Sequence, residues 1–136
     1  MTYGVAAALQ QAVYQLLQAD PELTALAGDA IYDAVPPGLV SGTYVSLGPE
    51  DVREASDKTG NGALHEITVS VVTDAAGFSA AKEVATAVSD ALVDTTLMLT
   101  RGTLVYLNFF RARARRVQDA DMRRIDLRFR ARVQDD

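Results

Sequence analysis

The sequence predicts an α+β protein: a small, mostly antiparallel β-sheet packed against two main α-helices, with a long C-terminal β-hairpin and an extended loop or arm. Three observations point there. Residues 123–133, RRIDLRFRARV, place Ile125, Leu127, Phe129, Ala131 and Val133 on one side of a period-two pattern, as a half-buried strand does. A second alternating run, Leu104 to Val117, precedes it across the short link QDADM. Two other stretches recur at three- and four-residue steps, the mark of helices with one apolar face.

In chain order, residues 2–19 form the first helix. Val5, Leu9, Ala12, Val13, Leu16 and Leu17 share a face, with Thr2 as the expected N-cap. Asp20-Pro21-Glu22 starts a second, short helix: a cap, a proline at the first helical position and an acid in the first turn, with Gly28 as its stop. Ile31 and Tyr32 are a brief extended piece before Pro36-Pro37-Gly38. TYVSL (43–47) is a strand closed by Gly48-Pro49. Residues 50–63, EDVREASDKTGNGA, are polar and read as an exposed excursion, either a long hairpin arm or a flexible loop. HEITVSVV (65–72) is a strand. Residues 78–93 are the second main helix, with Phe78, Ala81, Val84, Ala85, Val88, Ala91 and Leu92 on one face.

The closing hairpin allows a register to be written. Pairing Gln118 with Arg123 leaves a loop from Asp119 to Met122 and sets Phe110 against Ala131, Ala112 against Phe129 and Ala114 against Leu127. Each large side chain then meets a small one. The same register places Arg111 opposite Arg130, Arg113 opposite Arg128 and Arg115 opposite Asp126. Val105, Leu107 and Phe109 would continue the arginine face as an apolar patch.

Length and composition bound the function. The 136 residues are expected to form one domain, 1–136. No cysteine is present, so disulfides and thiolate metal sites are excluded. The N-terminus has no basic segment ahead of an apolar run, and polar residues interrupt every apolar stretch before spanning length; no membrane partner is expected. There is no phosphate loop, nucleophile elbow or paired-histidine metal motif. His65, the one histidine, is expected to be structural or surface-exposed. Asp29 with Asp33, and Asp90 with Asp94, are carboxylate pairs that fit a solvated surface better than a hard cation, which wants six or more oxygens. No enzyme activity, cofactor or metal is expected.

The feature above background is charge. Residues 1–100 carry thirteen acidic groups against Arg53, Lys58 and Lys82, a balance of −10, whereas residues 101–136 carry ten arginines against five aspartates, a balance of +5. Eleven arginines against two lysines is a bias toward planar, bidentate groups suited to interfaces and phosphates. The bland reading of the hairpin is a solvated sheet face. Against it stands an assembly surface in which Arg111, Arg113, Arg128 and Arg130 meet carboxylates of another copy: Glu50, Asp51, Glu54 and Asp57, with Arg53 among them, or Asp90 and Asp94. A nucleic-acid-binding module using the arginine-rich hairpin on phosphates is the alternative. The −10 elsewhere counts against it.

The order of elements is itself informative. ALQQAVYQLLQADPELTALAGDAIYDAVPPG, then TYVSLG, a polar stretch into HEITVSVV, a helix ending DALVD, and LVYLNFFRARARRVQDADMRRIDLRFRARV resemble the tail-completion (tail terminator) family of long-tailed phages, prophages and gene transfer agents. The likeness runs over nearly the whole chain. It implies a structural virion protein located at the tail or neck and made in the bacterial cytoplasm. It also implies a homo-oligomer, a hexameric ring that caps the head-proximal end of the tail tube. The ring's partners would be the tail tube protein and a head-connector or stopper protein, with DNA passing through its lumen without specific binding.

Overall fold

A computed structural model describes residues 3–36, 41–56, 60–93, 95–117 and 121–135. The elements are α1 (Ala6–Ala19), α2 (Pro21–Ala27), β1 (Ile31–Tyr32), β2 (Thr43–Glu54), β3 (Asn61–Thr73), α3 (Ser79–Leu92), β4 (Thr103–Val117) and β5 (Met122–Asp135). They form one five-stranded sheet of order β1-β2-β3-β5-β4. β1 runs parallel to β2, and every other neighbouring pair is antiparallel. The α+β class and the pairing of sheet with two main helices are as the periodicities require.

The helices cover one face of the sheet. Leu9, Val13 and Leu17 of α1 and Val84, Val88 and Leu92 of α3 are buried against Val45, Val69, Val71, Leu127, Phe129 and Val133. These strand residues share a face because they alternate along each strand and stand in register: Val45 with Val71, Val71 with Ile125, Val69 with Leu127. Phe129 is the largest fully buried side chain and meets the Phe109 ring edge-on, 5.9 Å between centroids at 74°, a geometry that adds to the area it buries.

Helix ends follow the expected chemistry in α2 and depart from it in α1. The Asp20 carboxylate accepts the Leu23 N–H at 2.9 Å, Pro21 occupies the first helical position and Gly28 closes the helix at φ 61°, where a Cβ would be strained. In α1 the N-cap is Val5, which makes no side-chain cap bond. Thr2, the expected cap, lies outside the described residues.

The polar excursion resolves into a hairpin arm. β2 bends at Gly48-Pro49, where its register to β3 shifts, and then runs on through Glu54. β3 starts at Asn61, so Ala63 is core rather than loop. Residues 50–53 read as a loop because, among the described residues, this half of β2 pairs with a strand on one side only. A strand so placed takes polar residues wherever it meets water.

His65 is fully buried within β3. Its ring stacks on Tyr3 at 6.4 Å, and Nδ1 lies 3.4 Å from the Glu50 carboxylate, which also accepts the Tyr3 hydroxyl. Its burial excludes the surface-exposed reading of His65.

Candidate assembly surface

Turning from the helices to the other face of the sheet, the side chains of β5 there are Arg124, Asp126, Arg128, Arg130 and Arg132, since their neighbours Ile125 to Val133 point into the core. β4 lines up beside them, but not in the expected register. Val117 pairs with Met122 and Arg116 with Arg123, so from Arg111 to Val117 the partners differ by two from the sequence-based register, and Gln118 lies outside the described residues. Arg111 faces Arg128, Arg113 faces Asp126 and Arg115 faces Arg124. Because the partner moves by two residues, each side chain keeps its face, and the arginines remain together.

Residues 104–110 also depart from the expected face pattern. Register shifts between Leu104 and Tyr106 and between Phe109 and Arg111 mark two bulges, and a bulge reverses which side later residues face. Leu107 therefore sits opposite Ala131 under the helices, 4% exposed, and Phe109 sits opposite Phe129. Ala112 then meets Leu127 and Ala114 meets Ile125. Val105, Leu107 and Phe109 do not form one patch on the arginine face. Tyr106 and Asn108, opposite Arg132 and Arg130, replace them there. Phe110 joins them, its ring 3.6 Å beneath the Arg130 guanidinium, a cation–π contact.

Asp126 is the organising anion of this face. Ser70 donates to it at 2.6 Å and Arg124 Nε at 2.8 Å, while Arg115 lies at 3.9 Å. Burial works to raise its pKa. The Ser70 and Arg124 hydrogen bonds and the charges of Arg124 and Arg115 outweigh that and hold the carboxyl below its usual range. Arg128 reaches Glu66 at 3.5 Å. Among the described residues Arg111 and Arg113 make no ion pair. With Arg115, Arg128 and Asp126 they line an open groove of about 340 Å³, whose walls are dominated by positive charge. Arg130 is spent locally: its guanidinium lies on Phe110, and its Nε is buried with no hydrogen-bond partner among the described residues.

The acidic candidates lie at the opposite side of the sheet. Glu50, Asp51, Arg53 and Glu54 belong to the outer half of β2, opposite Ile67, Glu66, Leu64 and Ala63 of β3. Glu50 is engaged with Tyr3 and His65 on the helix face, whereas Asp51 is exposed. β3 and β5 separate this set from β4, so within one chain the structure does not bring the two charge sets together. Asp90 is exposed on α3, and Asp57 and Asp94 lie outside the described residues. Asp33, whose carboxylate accepts from Gln10, adds to the acidic side next to β1. In the sequence Asp33 stands out only as one half of a carboxylate pair with Asp29. What joins it to the acidic edge is the parallel β1–β2 pairing, which no local pattern announces. Among the described residues no group of three or more His, Asp or Glu is arranged to hold a metal, and no helix is long and apolar enough to cross a membrane.

Comparison with known proteins agrees with this architecture. No curated protein matches the chain. The family model described as tail completion protein gp17 matches residues 11–134. A solved chain from the virion of a native gene transfer agent particle superposes with a TM-score of 0.92 at 68% sequence identity, covering 98% of this chain and 99% of that one. The chain therefore belongs to the tail completion protein family, the structural tail proteins of phages and phage-like particles.

Proposed function

We propose that the protein is the tail terminator: a closed ring, six copies in the family pattern, that stops growth of the tail tube at its head-proximal end and presents a surface to the head connector. Its role is structural and not catalytic, and it uses no metal or cofactor. The observation that carries this reading is the separation of charge across one rigid sheet. Arg111 and Arg113 of β4, which make no ion pair among the described residues, and carboxylates on the β1–β2 side are two different surfaces, which is what a head-to-tail ring requires. Arg111, Arg113 and Arg128 are assigned to one side of that interface, and Asp51 with Glu50, Arg53 and Glu54 to the other. Arg130, held by Phe110, orders the strand behind it.

Deleting the gene in a producing strain tests the reading. Tails of uncontrolled length, unattached to heads, are expected. Tails of normal length joined to heads would overturn it.

The groove between Arg111, Arg113 and Arg128 also favours a second reading, phosphate contact by a β-ribbon. That reading requires DNA affinity that falls steeply with salt. The terminator reading expects no retention of duplex DNA at physiological salt.

A further inference from the structure

β4 is fifteen residues long, lies at the edge of the sheet and, among the described residues, pairs only with β5. Soluble proteins blunt such edges with charge, bulges or short length, because an open row of N–H and C=O groups recruits other strands. The arginine half of β4 fits that habit. The other half does not: Val105, Tyr106, Phe109 and Phe110 are 53%, 41%, 47% and 36% exposed, four large apolar groups within six residues. That concentration marks an edge meant to be covered.

The same sheet has a second open edge. Among the described residues β1 pairs with β2 only at Val45 and Ser46, so residues 50–53 of the outer part of β2 have β3 as their one strand partner. The outer part of β2 carries Glu50, Asp51 and Glu54 against Arg53, while β4 carries Arg111, Arg113, Arg115 and Arg116. The two edges are unlike in charge and belong to one continuous sheet.

We infer that β4 of one copy adds to the outer half of β2 of the next, so that the sheets of neighbouring copies join into one. The inference rests on the ring reading above and specifies its junction. Direction is compatible. β2 and β4 run in opposite senses within the sheet, and rotation about an axis along the strands preserves those senses, so the new pair is antiparallel. Level is compatible too. Asp51 stands in one cross-strand row with Glu66, Arg130 and Asn108, so without stagger Asn108 meets Asp51 of the next copy. The apolar half of β4 then lies along residues 50–54. The arginine half reaches the β1 end, where Asp29 and Asp33 flank Ile31–Tyr32. Backbone bonds and the covered apolar groups supply affinity, and the charges set partner and direction.

The chain has no cysteine, so engineered pairs report cleanly. Asp51→Cys is combined in turn with Tyr106→Cys, Asn108→Cys and Arg111→Cys, and particles carrying each pair are oxidised. Opposed strand positions are close enough for a disulfide. One combination, which reads the register, should convert most of the chain into a ladder ending at the ring's full copy number, while the single variants stay monomeric. A ring visible at the wild-type neck with no ladder from any combination overturns the edge pairing and leaves the ring. A wild-type neck without a ring of this chain overturns both. A cross-link from β4 to a different particle protein assigns the edge to that protein and also overturns the pairing.

Discussion

Reversing charge at Arg113 and Arg128 separates folding from assembly. Arg128 makes one ion pair, at 3.5 Å to Glu66, and its side chain is 44% exposed. Such a pair contributes about 0.2–1 kcal/mol. Arg113→Glu sets a carboxylate opposite Asp126, a like-charge neighbour that costs roughly 0.2–1 kcal/mol. Arg128→Glu relieves the Arg111–Arg128 opposition by a similar amount. The Arg124 and Ser70 bonds that hold Asp126 are untouched. The double variant should therefore melt within about 1 kcal/mol of wild type, a shift of roughly 3–5 °C for a chain this size. The groove, in contrast, changes by four charge units and becomes acidic like its expected partner surface. Circular dichroism melts read the first quantity, and counts of completed transducing or infectious particles read the second. Near-native melting with particle yield reduced by at least tenfold is expected. Normal yield from the double variant would show that the arginines are only solvated, and the reasoning would fail.

Three further changes test the fold beneath the surface. Asp126→Asn should destabilise at pH 7 by about 1–3 kcal/mol, through weaker bonds to Ser70 and Arg124. Because the folded-state pKa of Asp126 is depressed, its contribution is complete above the unfolded value of about 3.9 and disappears as pH falls through the folded one. Wild-type and variant melting curves should converge from pH 5 to pH 2, and parallel curves would refute the assignment. Phe129→Ala, which empties the largest fully buried site, should cost about 3–5 kcal/mol in urea titration. Gly102→Ala should cost at least about 1 kcal/mol, since Gly102 has φ 76° and an added Cβ would lie 2.5 Å from the Gln134 carbonyl oxygen.

Much of this fold is legible in local pattern. Alternation in Ile125 to Val133 identifies the core face of β5, and Asp20-Pro21 marks the start of α2, because each signal is a direct consequence of burial or of helix-end hydrogen bonding. The misread parts share a cause. β4 is an edge strand, free to bulge near Val105 and Phe110, and a bulge reverses the alternation that a sequence reading extrapolates. Leu107 and Phe109 changed faces for that reason. The polarity of residues 50–54 reports an open edge, not a loop. The arginine cluster was visible because charge and period coincide in residues 111–132. The distance between its two charge sets was not, since only the strand order fixes which elements lie at opposite edges.

The central claim is that copies of this chain form a closed ring at the head-proximal end of the tail tube. An electron-microscopy reconstruction of the neck of purified particles tests it most directly. The account predicts one tier of six copies between the last ring of the tube and the head connector, each with its β4 edge against the β2 edge of a neighbour. Density for this chain at the distal tip, or as a single copy outside a ring, would contradict it.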